Sequence, residues 1–147
     1  MDLYSIELIA IDTIKPHEET IPERVLRIEK EIQSSGELLT PLWVDNKHFV
    51  LLNGHHRLEA LRKLGCNTAP CLLLDYDSPL VQVKVCSGAT IFTIDKISIL
   101  KNARAKTLYP PRSSFHTLKF SPPLFSTSLS QLRGAQFGEF LDKLKSN

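Results

Sequence analysis

Residues 51 to 65, Leu-Leu-Asn-Gly-His-His-Arg-Leu-Glu-Ala-Leu-Arg-Lys-Leu-Gly, run a strand straight into a helix through one glycine. Leu58, Leu61 and Leu64 fall on one side of that helix and Gly65 supplies its stop. Asn53 is the expected N-cap. A strand that feeds directly into a helix belongs to an α/β arrangement, and its turn leaves backbone N–H groups unpaired. With the helix dipole, those groups attract an anion; Arg57 adds a forked donor, and Gly54 clears room for close backbone approach. Phosphate is the ligand such a turn suits. A capped helix with two surface histidines accounts for the same residues without one. His55 and His56 are adjacent, so they project in different directions and do not read as a shared metal site.

The remaining pattern repeats the alternation. Ile6 to Asp12 reads as a strand, and Pro16 then forces an extended or turn conformation on Lys15. Pro22 suits the first turn of a helix over residues 22 to 35, with Val25, Ile28 and Ile32 on one face and Gly36 ending it. PLWVD and HFVLLN are expected to pair as a hairpin across Asp45-Asn46-Lys47. APCLLLDY and LVQVKV read as further strands, and DKISILKNARAK as a helix opened by Asp95. Trp43 and Phe49 are expected to serve as core or cross-strand packing. The predicted fold is a small mixed sheet with short helices, α/β (α+β) in class.

Near Thr107 the composition changes to a proline-, serine- and threonine-rich stretch that cannot be a helix or a central strand. Leu108, Tyr109, Phe115, Phe120 and Phe125 make it too apolar for a free linker, so it should pack on the domain. Phe137, Phe140, Leu141 and Leu144 then mark an amphipathic helix over roughly 136 to 145. Residues 1–106 are expected to form the principal domain and 107–147 a tail and helix packed against it.

Net charge bounds the partners. At +2 over 147 residues, the chain lacks the basic stripe of a dedicated nucleic-acid binder. Its three cysteines, Cys66, Cys71 and Cys86, form no C-x-x-C pair and read as buried reduced thiols. The N-terminus has no signal-peptide pattern, and the longest apolar run, Ala69 to Leu74, is far too short to span a bilayer. A cytoplasmic protein is expected.

Two further segments carry chemistry. Lys15-Pro16-His17-Glu18-Glu19 presents carboxylates on a proline-stiffened loop, where they are either solvated acids or a base. If this loop faces Gly54 to Arg57, Glu18 could serve as general base toward a hydroxyl nucleophile opposite a bound phosphate. Pro110-Pro111-Arg112-Ser113-Ser114-Phe115-His116 offers a cation, two hydroxyls and an imidazole that could clasp a small polar substrate. A packed surface loop explains it equally.

With these segments in place, the chain resembles the ParB/sulfiredoxin superfamily, and within it the archaeal ParB-like free serine kinases. The matching stretches are IKPHEE before a helix, PLWVD, VLLNGHHRLEALRKLGC, and the tail LYPPRSSFH. The resemblance implies a ParB/sulfiredoxin-like fold and phosphoryl transfer from ATP or ADP, with Mg2+, to free L-serine, giving O-phospho-L-serine for serine and cysteine metabolism. It implies Glu18 as catalytic base and Asn53, Gly54, His55, His56 and Arg57 around the nucleotide. Ser113, Ser114 and His116 would lie near the amino acid or the transferred phosphoryl group. Asn53 stands where that group usually has aspartate, and Phe115 where an arginine is common. The alternative within the superfamily is a ParB-like nucleotide-binding regulatory or DNA-associated module without kinase activity. No helix-turn-helix pattern follows the core. Sulfiredoxin-like repair needs a cysteine directly after the glycine, where this chain has His55.

Overall fold

The computed structural model describes residues 3–89, 91 and 93–134. Strand β1 (Tyr4–Ala10) ends in a 3-10 turn at Ile11–Thr13, where the Thr13 hydroxyl donates to the Ala10 carbonyl. The expected strand to Asp12 therefore stops two residues early. Helix α1 (Pro22–Ser35) has proline in its first turn and buries Val25 and Ile32. It is closed by Gly36 at φ 75°, whose N–H reaches the Ile32 carbonyl. Then come β2 (Glu37–Leu38), β3 (Leu42–Asp45), β4 (Leu51–Asn53) and α2 (His55–Lys63). They are followed by β5 (Thr68–Leu74), β6 (Val81–Val85), α3 (Lys96–Ala105), β7 (Ser114–Leu118) and β8 (Thr127–Ser128).

The main sheet has the order β1-β5-β3-β4, with β3 parallel to β5 and the other pairs antiparallel. The fold is thus the expected mixed α/β arrangement. β5 shows why its sequence is an unbroken apolar run: Ala69, Cys71 and Leu73 face one core, Leu72 and Leu74 the other. The first core lies under α1 and α2; the second lies under α3, β6 and β7. Each fully buried leucine contributes roughly 1.5–3 kcal/mol, so this two-sided strand is the centre of gravity of the fold.

The β3–β4 hairpin is present, with the Asp45 carboxylate accepting from the Lys47 and His48 N–H groups. β1 and β4 are opposite edges of the sheet, so Glu18 reaches α2 only because the chain crosses over. After the 3-10 turn, Lys15 pairs in parallel with Val50, its N–H donating to Phe49 and its carbonyl accepting from Leu51. Beyond it, Glu18 pairs with Tyr109. The proline-rich segment closes that edge.

The tail continues as β7 on β6 and β8 on β2, and residues 129–134 are helical. Leu132 is fully buried, and its carbonyl accepts from the Asn67 N–H. The helix expected over 136 to 145 lies outside the described residues. No described helix is long and apolar enough to cross a membrane.

Candidate active site

Glu18 sits on the crossing segment, 7% exposed. One carboxylate oxygen accepts from the Arg112 N–H at 2.8 Å; the other accepts from the Ser114 N–H at 3.0 Å and from the Ser114 hydroxyl. Burial alone would raise its pKa. The hydrogen bonds from His17 and Ser114 outweigh burial and hold it at about 2. The group is a carboxylate at any working pH. Glu19, one residue on, is exposed.

His17 was not among the residues singled out from the sequence, yet its ring is fully buried at the centre of this cluster. Its Nδ1 lies 2.7 Å from the Leu51 carbonyl, which can only accept, so Nδ1 carries a proton. Its Nε2 is 2.8 Å from the Ser114 hydroxyl oxygen and 3.4 Å from Glu18. The only sequence signal for His17 was its place inside the Lys-Pro-His-Glu motif.

The paired histidines do something their spacing did not announce. His55 Nε2 accepts from the His17 N–H at 3.1 Å, and His56 Nε2 accepts from the Ile21 N–H at 3.0 Å. An Nε2 that accepts carries no proton, so both rings are neutral and each holds its proton on Nδ1. Burial lowers both pKa values, His17 adding to the effect on His55 and Arg24 to that on His56. The two rings therefore fasten the loop of residues 17 to 21 to the first turn of α2. They present N–H donors rather than cations to the cleft.

Gly54, at φ 108°, is the N-cap of α2, and its carbonyl accepts the first helical hydrogen bond, from Leu58. The expected cap at Asn53 is corrected: Asn53 is the last strand residue, paired with Trp43, and its exposed side chain makes no cap bond. A Cβ at Gly54 would lie 2.6 Å from Leu42 Cδ2 and 2.9 Å from Arg57 Nη2, so sterics as well as φ require glycine. Arg57 Nη1 donates to both Thr40 oxygens and to the Pro41 carbonyl, and burial pushes its pKa down to about 10. The side chain thus ties down the turn before β3 while remaining charged.

One cleft of about 550 Å³ gathers Glu18, Asn53, Gly54, His55, His56, Arg57 and Ser114. Arg24 and Arg112 also line it, as do Ile28, Ile32, Leu38 and Leu39, which form an apolar end. Arg24 lies on α1, and nothing in its sequence surroundings pointed to the cleft. Cys86 lines it as well and is half-buried, so of the three thiols only Cys66 and Cys71 are buried as expected. Ser113 is not brought to the cleft; its hydroxyl donates to the Pro110 carbonyl and locks the turn. His116 lines a smaller adjoining cavity of about 310 Å³ with Trp43 and Ser114. Its Nε2 is paired with the Tyr76 hydroxyl at 2.8 Å, while its buried Nδ1 has no hydrogen bond. Burial, chiefly, pushes His116 down to about 3.

His17, Glu18 and His55 place one ligand-type atom each within 4.8 Å of one another. Their facing lone pairs are already used by hydrogen bonds, which leaves this trio a structural knot. A magnesium ion prefers oxygen ligands, which the cleft offers in Glu31, Glu37 and the Asn53 amide.

No family model matches the chain. Over 95 residues it is 34% identical to an ATP-dependent L-serine kinase of Staphylothermus marinus, covering 61% of this chain and 37% of that one. Over 79 residues it is 32% identical to an ADP-dependent L-serine kinase of Thermococcus kodakarensis, covering 51% and 33%. The matched part thus spans about a third of each of these two relatives. A free serine kinase solved in complex with AMP shares the fold, with a TM-score of 0.77 at 16% identity over 88% of this chain and 93% of that one. The resemblance to the free serine kinases is borne out in sequence and in fold.

Proposed function

We propose that the protein is a free serine kinase, transferring a phosphoryl group from ATP or ADP to the hydroxyl of L-serine. The observation that carries this reading is the shared cleft: an ionised, buried carboxylate and the open N-terminus of a helix face the same space. The similarity to L-serine kinases, over part of their length, supports it.

The nucleotide phosphates lie against the first turn of α2, where unpaired N–H groups and the Nδ1–H donors of His55 and His56 converge. Arg24, Arg57 and Arg112 balance their charge, and the base rests on Ile28, Leu38 and Leu39. Glu31, Glu37 and the Asn53 amide would hold a magnesium ion, which when bound would supply neutralisation of phosphate charge. The serine hydroxyl approaches Glu18 from the side of β7, where Ser114 and His116 lie; Ser113 acts by shaping that turn. As the O–P bond forms and the bond to the departing nucleotide breaks, the hydroxyl proton passes to Glu18. On this reading residues 1–106 carry the nucleotide, the tail carries the acceptor side, and the enzyme works in the cytoplasm.

The test is direct. Purified protein with magnesium and either ATP or ADP is given a panel of free amino acids, and products are read by mass spectrometry. O-phospho-L-serine is expected. Bound nucleotide with no phosphorylated amino acid would instead support the regulatory, ParB-like module.

A further inference from the structure

Three hydroxyl side chains line the cleft, those of Ser35, Thr40 and Ser114. The Ser35 hydroxyl donates to the Glu37 carbonyl, and the Thr40 oxygen accepts from Arg57. Ser114 is different. Its oxygen touches the Glu18 carboxylate and lies 2.8 Å from His17 Nε2, while its own N–H donates to the same Glu18 oxygen. His17, its Nδ1 proton given to the Leu51 carbonyl, sets Nε2 against both the Ser114 oxygen and Glu18 and so fixes the pair in place. Ser114 thus directs its one proton at a buried carboxylate, the arrangement of an activated hydroxyl. The acceptor hydroxyl of a free substrate would need this same place at Glu18.

We propose that Ser114 is itself a phosphoryl acceptor, taking the terminal phosphoryl group of the nucleotide in the cleft when no free hydroxyl occupies Glu18. The inference rests on the phosphotransfer reading above and adds a covalent mark on the chain. The Ser114 Oγ–P bond forms and the P–O bond to the nucleotide breaks. That electron pair leaves with the nucleotide, and the hydroxyl proton goes to Glu18. Arg112, two residues upstream at φ 58°, and Arg24 line the same cleft and face the new charge. A phosphorylated Ser114 no longer donates its proton to Glu18, so the mark and the resting hydrogen bond exclude each other.

The full chain is incubated with magnesium and ATP, and separately with ADP, without amino acid, and its intact mass is measured. A gain of one phosphoryl group is expected, mapped by peptide fragmentation to Ser114 and lost in Ser114→Ala and in Glu18→Gln. Should Ser114→Ala fail to fold, the wild-type map decides, and Ser114→Thr, which keeps a hydroxyl, should carry the mark on the new residue. A parallel tube contains L-serine. Phosphoserine in that tube, together with no mass gain on the protein in the tubes without amino acid or with the gain mapped elsewhere, overturns this proposal and leaves the kinase reading standing. No transfer in either tube overturns both.

Discussion

At the scale of single residues, Glu18 separates an enzyme from a binder. A serine hydroxyl barely ionises at neutral pH, so its proton needs a positioned acceptor as the phosphoryl group arrives. Such general-base assistance is worth about 10²–10⁴-fold. Glu18→Gln should cut turnover by about two orders of magnitude or more with nucleotide affinity nearly unchanged, as read by steady-state kinetics and calorimetric titration. The structure adds a second expectation. Both Glu18 oxygens accept from backbone N–H groups, and an amide can satisfy only one of them, so Tm should also fall, by an amount matching about 1–3 kcal/mol. Glu19→Gln, on an exposed side chain, should change neither. A wild-type rate in Glu18→Gln would remove the catalytic assignment. The Lys-Pro-His-Glu motif made Glu18 legible in the sequence, but its partners were not, because they lie more than 90 positions away.

At the scale of elements, local chemistry was the readable part. α1 begins at its proline and ends at its glycine, and α3 opens at Asp95 with a full capping box: Ser98 N–H to Asp95 Oδ1 at 2.7 Å, and Asp95 N–H to Ser98 Oγ at 3.0 Å. Asp95→Ala should cost about 1 kcal/mol, seen as a lower midpoint in urea with an unchanged slope. Because α3 buries Ile99 and Ala103 in the second core, away from the cleft, nucleotide affinity should hold. What the sequence hid was non-local. The Asn53 cap failed because the strand register claims that residue and a left-handed Gly54 takes its place. The crossing of residues 15 to 19 from one sheet edge to the other left no periodic trace, since its backbone hydrogen bonds go to Phe49, Leu51, His55 and Tyr109 and not to neighbours.

At the scale of the whole molecule, buried neutral histidines set the response to acid. His116 is pushed from its ordinary 6.5 to about 3, and His55 and His56 are lowered as well. Below pH 6.5 the unfolded chain binds protons that the folded chain refuses, so stability falls with falling pH until the folded rings also titrate. Glu18, lowered from 4.5 to about 2, acts in the same direction over a more acid window. Thermal melts should show Tm constant above pH 7 and dropping steadily between about pH 6.5 and 3, with stability falling by up to about 1.4 kcal/mol per pH unit for each of the buried His55 and His116 and by less for the more exposed His56. A Tm flat across that window would mean the rings are solvated and the loop clasp is absent.

The crossing segment has a consequence for solubility. An open strand edge is a template on which another chain can pair, and proteins blunt or cover such edges. Here the free edge of β4 is covered by residues 14 to 19, and these in turn by Tyr109. The backbone that carries Glu18 is therefore also the molecule's guard against edge-to-edge aggregation. Substitutions that release the clasp at His55 or His56 would expose β4 along with the cleft, so in this fold loss of the active loop and loss of the soluble state are one event.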